Sequence, residues 1–363
     1  MTQRDGVSRI LVVELWHIGD VILTIPFLAQ LRARFPEAEI TLLAHAHARE
    51  LLNGTGLVDE LIETNLDWDA ESGFNPFRYR LRELLRVVSE LRRRNFAIAF
   101  QCRPHVREHV LLALSGARRR IGLAFGMSDK LLTDPIAIDD PDSQKVEHWR
   151  ALLAPLGGSI NAESPTLHVS EQERVWARDF LAAKGISSGE IVVGVHPGAS
   201  VAVNRWPLER FMEVARALAS RPGVRVLTFV DPAGYGAALG EVPGVVSVKV
   251  GLRELMALIQ RSAFLICNDS GPMHVAGALG VPTIAMFGWI NRWFPPLGEG
   301  HELVRAARER APRGADSRSA ASFSVAEIPT SQVLEVAERK LREARATGQG
   351  GRQAGILLSN GRR

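Results

Sequence analysis

Three short segments carry side chains that could do chemistry. The first is Trp16-His17-Ile18-Gly19-Asp20. It follows RILVVEL (9–15), which reads as a buried strand, and it opens a helical stretch; Gly19 permits a tight turn. A carboxylate at such an edge is stabilised by the helix N-terminus and can serve as a general base or orient a hydroxyl. Asp20 can equally cap the helix, a role for which Asp is a preferred residue. The second is His196-Pro197-Gly198-Ala199-Ser200, directly after the strand-like Ile191–Val195, with Arg205 close behind. A Gly- and Ser-bearing loop at the carboxyl end of a strand presents N–H groups to phosphate, and an arginine pairs with phosphate oxygens. An ordinary strand-to-helix turn with a solvated arginine would have the same residues. The third is Asn268-Asp269-Ser270-Gly271-Pro272-Met273-His274, entered from the apolar run AFLIC and left by an Ala/Gly-rich helix. Gly271 allows close backbone approach, and Pro272 suits a first helical turn. Such a helix start offers free N–H groups to a diphosphate. The alternative is capping by Asp269 or Ser270, with His274 packed on the neighbouring strand.

All three segments need strands that end together. The pattern supplies them: strands at Arg9–Leu15, Glu39–Ala44, Val58–Glu63 and Phe96–Phe100, with helices at Asp20–Phe35 and Pro76–Arg94. Strands alternating with helices imply βαβ units and a parallel sheet. The Gly-, Ser- and Pro-rich LGGSINAESPT (156–166) reads as a linker. Beyond it, Ser170 to Glu173 forms a capping box for a helix that Gly185 stops. Strands are expected at 191–195, 224–230, 245–250, 263–267 and 283–287, and helices at 207–219, 252–260 and 271–279. Two α/β halves suggest two Rossmann-like domains with a ligand at the carboxyl ends of the strands.

Composition narrows the function. Of 363 residues, 46% are hydrophobic and 23% charged, which excludes disorder throughout. Two cysteines, Cys102 and Cys267, exclude a disulfide framework or a four-cysteine zinc site. No apolar run reaches the roughly 18 residues that span a bilayer, and the polar start MTQRDGVSR is not a secretory signal. A soluble, cytoplasmic chain is expected. The net charge of +4 and pI of about 9.4 do not by themselves call for nucleic acid, and none is expected. Asp67-Trp68-Asp69 has the form of a metal-binding DxD but lies in a polar loop, and Asp139-Asp140-Pro141-Asp142 reads as a turn; no metal site is expected. There is no complete GxGxxG and no P-loop. Between Arg78 and Arg120, twelve arginines face only Glu83, Glu90 and Glu108, a local balance of about +9. This is either a solvated face or a patch, including Arg92, Arg93, Arg94, Arg103 and Arg107, for an anionic acceptor or the anionic inner face of the cytoplasmic membrane.

The segments RILVVELWHIGDVILTIPFLAQLRARFPEAEITLLA, LSGARRRIGL, VVGVHPGASVAVNRWPLERF and FLICNDSGPMHVAGALGVPTIAMFG occur in that order from about residue 9 to 290. Together they resemble the ADP-heptose:lipopolysaccharide heptosyltransferases, glycosyltransferase family 9. The resemblance implies a GT-B fold, two Rossmann-like domains with parallel sheets facing across a cleft. Residues 1–160 would hold the acceptor, 161–344 the nucleotide sugar, and 345–363 would be a flexible tail. It implies inverting, metal-independent transfer of a sugar, heptose by family default, to a lipopolysaccharide or other surface-glycan acceptor. No cofactor is implied beyond a nucleotide-sugar co-substrate, ADP-linked by default. Asp20 would be the general base. Ser200, Arg205 and the backbone of Ser270, Gly271 and Pro272 would contact the diphosphate, and Asp269 and His274 would orient the donor. Asn204 stands where many relatives have Lys, Trp289-Ile290 replaces the usual Pro-Thr, and residues 305–325 lack the cysteine-rich segment of many relatives. Asp231 is the candidate for the donor ribose. A non-catalytic member that binds a nucleotide sugar or a protein partner is the alternative.

Overall fold

The computed structural model describes residues 7–66, 81–138, 144–157, 164–288, 298–305 and 325–348. Asp67 to Asp69, Arg78, Arg80, Asp139 to Asp142, Trp289, Ile290, residues 306–324 and the tail from 349 lie outside them. The described residues up to Val169 form one compact unit; those from Ser170 to Gly288 and from Glu299 onward form a second. His168 groups with the first unit by packing against Gly54, where an added Cβ would lie 2.6 Å from its Nδ1.

The first unit runs β1 (Arg9–Glu14), α1 (Ile18–Arg34), β2 (Glu39–Ala44), α2 (His47–Leu52), β3 (Glu60–Glu63), α3 (Leu81–Arg94), β4 (Ile98–Gln101), α4 (Val106–Leu114), β5 (Arg119–Leu123), β6 (Asp134–Ile136) and α5 (Lys145–Ala151). Its six strands lie in the order β3-β2-β1-β4-β5-β6 and every pairing is parallel. The second unit runs α6 (Glu171–Ala183), β7 (Ile191–His196), α7 (Leu208–Ala219), β8 (Val224–Phe229), β9 (Val245–Val248), α8 (Leu252–Gln260), β10 (Phe264–Asn268), α9 (Gly271–Ala278), β11 (Thr283–Phe287), β12 (Glu302–Arg305) and α10 (Thr330–Ala346). Its order is β12-β11-β10-β7-β8-β9, again parallel throughout. Each sheet therefore has the doubly wound order, with its switch point between β1 and β4 in one and between β7 and β10 in the other. Ligands bind such sheets at the carboxyl ends of the strands beside that point.

The apolar patterns explain the cores. Ile10–Val13 of β1 and every residue of β7, β10 and β11 are buried, as strands covered on both faces must be. Gly194 in β7 makes room for its neighbours, since a Cβ there would meet Leu265 Cδ1 at 2.9 Å and Phe229 Cε2 at 3.0 Å. The Ser170 capping box forms, with Glu173 N–H donating to Ser170 Oγ and Ser170 N–H to Glu173 Oε2, and Gly185 turns left-handed at φ +72° just past the helix end. Several bounds differ from the expected ones. The helix expected from Asp20 starts at Ile18, with Asp20 three residues past the capping position. The helix expected at Pro76–Arg94 is described from Leu81. Arg345 and Ala346, expected in the C-terminal tail, belong to α10.

Candidate functional site

In the first unit the chain leaves β1 at Glu14 and enters α1 at Ile18, directly at the switch point. Asp20 is 4% exposed. Its Oδ2 accepts the His17 N–H at 3.2 Å, the reciprocal half of a capping box. Its Oδ1 faces two cations, Lys145 Nζ at 2.6 Å and Arg103 Nη2 at 2.5 Å. Burial alone would raise this carboxyl; Lys145 and then Arg103 overcome it and bring it down to about 2. Asp20 is thus a desolvated, fully ionised carboxylate rather than a plain cap.

The surrounding shell is built from β1, α1, the end of β4, α4 and α5. Lys145, 1% exposed at the start of α5, also holds Glu14 Oε2 at 2.7 Å. Thr24, one turn beyond Asp20, donates to Asp20 O at 2.9 Å and lies 3.3 Å from Glu14 Oε2. Arg103 follows β4 and lies over the Trp16 ring, 3.9 Å from its centroid, and Trp16 Nε1 donates to Glu108 Oε1 at 2.8 Å. Glu108, on the first turn of α4, is 2% exposed, and burial pushes its carboxyl up to about 8. Glu14 Oε1, Gln101 Nε2 and Arg103 Nε are buried with no hydrogen-bond partner among the described residues. Lys145, Glu14 and Glu108 belong to this cluster, and none lies in the three motif segments. The signal for two of them was present: an acid ending an apolar strand, and an acid inside the apolar helix VREHVLLAL.

The arginines of the expected patch fall at two edges of the sheet. Arg103 joins Asp20, and Arg107 lies at the start of α4, at the same carboxyl edge of the sheet. Arg92, Arg93 and Arg94 end α3 and lead into the amino end of β4, where the Arg94 carbonyl accepts from Arg9 at the head of β1. That edge is about 20 Å from Asp20, six residues of strand at roughly 3.3 Å each. Arg94 is also neutralised, by Glu60 and Glu90, as Arg86 is by Glu83 and Glu90 and Arg119 by Asp134. The local excess of positive charge shrinks because Glu60 and Asp134, outside the counted carboxylates, fold onto it. Arg92, Arg93 and Arg94 therefore lie at the opposite edge of the sheet from Asp20, apart from Arg103 and Arg107.

In the second unit His196 ends β7 and Asn268 ends β10, side by side at that switch point. Asn268 is fully buried. Its Nδ2 donates to Pro197 O at 2.7 Å and its Oδ1 accepts the Trp206 N–H at 3.0 Å. It clamps both ends of the loop that carries Ser200 and Arg205. Gly198 is required there, because a Cβ would lie 2.9 Å from His196 Cε1 and 3.1 Å from Asp231 Oδ2. Ser200 is exposed. Arg205 Nε donates to Ala199 O at 2.9 Å, and its guanidinium lies 4.9 Å from the centroid of the Tyr235 ring, so its position is fixed by the loop. Asp231 Oδ1 accepts the Tyr235 N–H at 2.8 Å. Burial pushes Asp269 up to about 6. Ser270 precedes α9, but its hydroxyl donates to Asn268 O at 3.1 Å rather than capping the helix. Gly271 and Pro272 form the first turn of α9, and His274 is buried one turn along. Among the described residues no group of three or more His, Cys, Asp or Glu could hold a metal ion, and no helix is long and apolar enough to cross a membrane.

Residues 84–321 match Glycosyltransferase family 9 (heptosyltransferase). The chain belongs to that family. This family 9 glycosyltransferase is 27% identical over 357 residues to lipopolysaccharide heptosyltransferase 2 of Salmonella typhimurium, covering 92% of this chain and 99% of the relative. It is 25% identical to lipopolysaccharide heptosyltransferase 3 of Escherichia coli K12, over 76% of this chain and 81% of that one. Among solved structures, the family 9 glycosyl transferase from Veillonella parvula superposes with a TM-score of 0.79 at 26% identity, over 94% of this chain and all of the other. E. coli ADP-heptose lps heptosyltransferase II superposes at 0.73 and 23% identity, over 93% and 99%. The two six-stranded parallel sheets are those of the GT-B class that the resemblance implied.

Proposed function

We propose that this glycosyltransferase moves a heptose from an ADP-linked donor to a lipopolysaccharide or other surface-glycan acceptor, inverting the anomeric centre in one displacement without a metal ion. The carrying observation is Asp20, held ionised and buried at the switch point of the first unit. The names of the relatives that match nearly the whole chain favour heptose and lipopolysaccharide. In this reading the residues before the linker hold the acceptor, with Arg103 and Arg107 toward its anionic groups. Those after it hold the nucleotide sugar.

The acceptor hydroxyl attacks the anomeric carbon, its proton passes to an oxygen of Asp20, and the bond to the diphosphate breaks with both electrons going to the diphosphate. A carboxylate held near 2 is a weak base toward a free alcohol. Proton transfer must therefore come late, when the forming C–O bond has made the hydroxyl acidic. The leaving diphosphate needs its charge spread, and preorganised donors do this at low reorganisation cost. Ser200, Arg205 and the N–H groups of Ser270 and Gly271 at the head of α9 suit that task, and Asp269 and His274 suit the orientation of the donor sugar and phosphates. The test is Asp20→Asn. Turnover should fall by about 10²–10⁴, the usual worth of a general base, while ADP affinity stays at the parent level. Near-normal turnover would refute the assignment.

A further inference from the structure

A base flanked by two cations raises a difficulty. When Asp20 takes the proton it becomes neutral, and Lys145 and Arg103 each lose a counter-charge inside a buried site. An ammonium left without a partner there is strongly disfavoured. Lys145 is nevertheless not left alone, because the same Nζ that lies 2.6 Å from Asp20 lies 2.7 Å from Glu14 Oε2. Glu14 comes from β1 and Lys145 from α5, 131 residues apart, and their side chains are 2% and 1% exposed. The Thr24 hydroxyl lies between the Asp20 main-chain carbonyl, at 2.9 Å, and Glu14 Oε2, at 3.3 Å, on the Glu14 side of the cluster.

We infer that Lys145 and Glu14 are positioning residues for the proton transfer: Lys145 holds Asp20 deprotonated before the reaction, and Glu14 keeps Lys145 paired once Asp20 is protonated. The inference rests on Asp20 being the base. Each half follows from charge. Lys145 and Arg103 balance Glu14 and Asp20 in the resting site. After proton uptake the site carries one net positive charge, and Glu14 is the anion that remains in contact with Lys145. The other titratable or charged groups around Asp20 are His17 ahead of α1, His47 on α2, Cys102 and Arg103 after β4, and Glu108 on α4. Glu108 is held in its neutral form by burial around neutral pH, and Cys102 is pushed well up by burial, so neither supplies a counter-charge there.

The test uses the full-length protein, ADP-heptose as donor and core-truncated lipopolysaccharide as acceptor, with kcat/KM measured from pH 4 to 9. Removing a cation in contact with a carboxylate raises its pKa by about 1–3 units. Lys145 is the stronger of the two cationic partners, so Lys145→Met should move the acid limb up by about 2–3 units, from about 2 to about 4–5 and so into the measured range. Lys145→Arg should leave the limb in place. Glu14→Gln should lower kcat about tenfold or more at every pH with KM for both substrates within twofold, because it disfavours only the protonated state of Asp20. A merely structural role would not split kcat from KM or move the limb selectively. If Lys145→Met fails to fold, the double variant Glu14→Gln/Lys145→Met removes both buried ions together and should show the same raised limb. An unchanged limb in the folded Lys145 variant, or an unchanged kcat in Glu14→Gln, overturns the inference. Asp20→Asn run alongside separates the two ideas. An inactive Asp20→Asn beside normal Lys145 and Glu14 variants sinks only the positioning roles, whereas an active Asp20→Asn sinks the base.

Discussion

Replacing Asn268 by alanine removes the clamp on the loop that carries Ser200 and Arg205. Two hydrogen bonds go at once, the 3.0 Å bond from the Trp206 amide and the 2.7 Å bond to the Pro197 carbonyl. Both of those groups are buried, as is Asn268 itself. A buried donor or acceptor left unpaired costs about 1–3 kcal/mol, so the pair bounds the loss at about 2–6 kcal/mol, with partial relaxation favouring the lower half. Taking about 3 kcal/mol, and a factor of ten for each 1.4 kcal/mol, protection of the Trp206 amide against hydrogen exchange should fall by about a hundredfold. Mass spectrometry of the peptide spanning residues 202–208 reads this directly. ADP affinity, measured by calorimetry, should fall at least tenfold, because the loop that positions Arg205 is released with it. Asn268→Asp is the informative companion: it keeps an acceptor for the Trp206 amide but sets a carboxylate against the Pro197 carbonyl. It should retain Trp206 protection better than the alanine variant while still losing ADP. A Trp206 amide that exchanges within threefold of the parent rate in Asn268→Ala would refute the reasoning.

Arg205→Ala should weaken ADP binding about ten- to a hundredfold, the worth of a hydrogen bond to a charged group, and Asn204→Lys should tighten it, less so at high salt; parent-like ADP affinity in Arg205→Ala means the phosphates lie elsewhere. Turnover should survive exhaustive dialysis against EDTA if Arg205 and the head of α9 take the diphosphate charge as proposed; activity lost and then restored by Mg²⁺ or Mn²⁺ would point back to Asp67 and Asp69. Glu108, held up at about 8 by burial against an ordinary 4.5, keeps a proton that the unfolded chain releases between those values. This contributes a decline in folding stability as pH rises through that window, by up to about 1.4 kcal/mol per pH unit, and Glu108→Gln should remove that contribution, most clearly above the value of about 6 to which Asp269 is raised; parallel pH–stability curves for variant and parent would reject this.

Long apolar runs and turn chemistry made most of the fold legible. β7, β10 and β11 are continuous buried runs, and α8 begins and ends where its pattern does, at Leu252 and Gln260. The strands that escaped notice are the polar ones at or beside a sheet edge. β5 is RRIGL, β6 is the three residues DPI, and β12 is ELVR, and none has the apolar length that distinguishes a buried strand. Their pairing is imposed by the neighbour: Ile121 aligns with Phe100, and Leu303 with Ala285. The helices α2 and α5 are short, and α4 reads as apolar with two charges, so periodicity alone did not separate them from loops.

The candidate site divides along the same physical line. In the second unit the residues that matter are almost all spelled in two contiguous segments, because a strand end and the helix start after it are sequence neighbours. Only the Asn268 clamp, reaching 62 and 71 residues back, needed the sheet order to be seen. In the first unit WHIGD identifies Asp20, but its charge state depends on residues 83 and 125 positions away. Counting charge along the sequence assigned Arg103 to a surface patch and passed over Lys145 altogether. The doubly wound order brings the end of β4 beside the end of β1, and the packing of α5 on α1 carries Lys145 under the same carboxylate. In the proposed mechanism a short motif fixes which side chain takes the proton, while the topology fixes how readily it takes it. That is why Lys145→Met and Glu14→Gln, neither within a recognisable motif, bear as directly on the chemistry as Asp20→Asn.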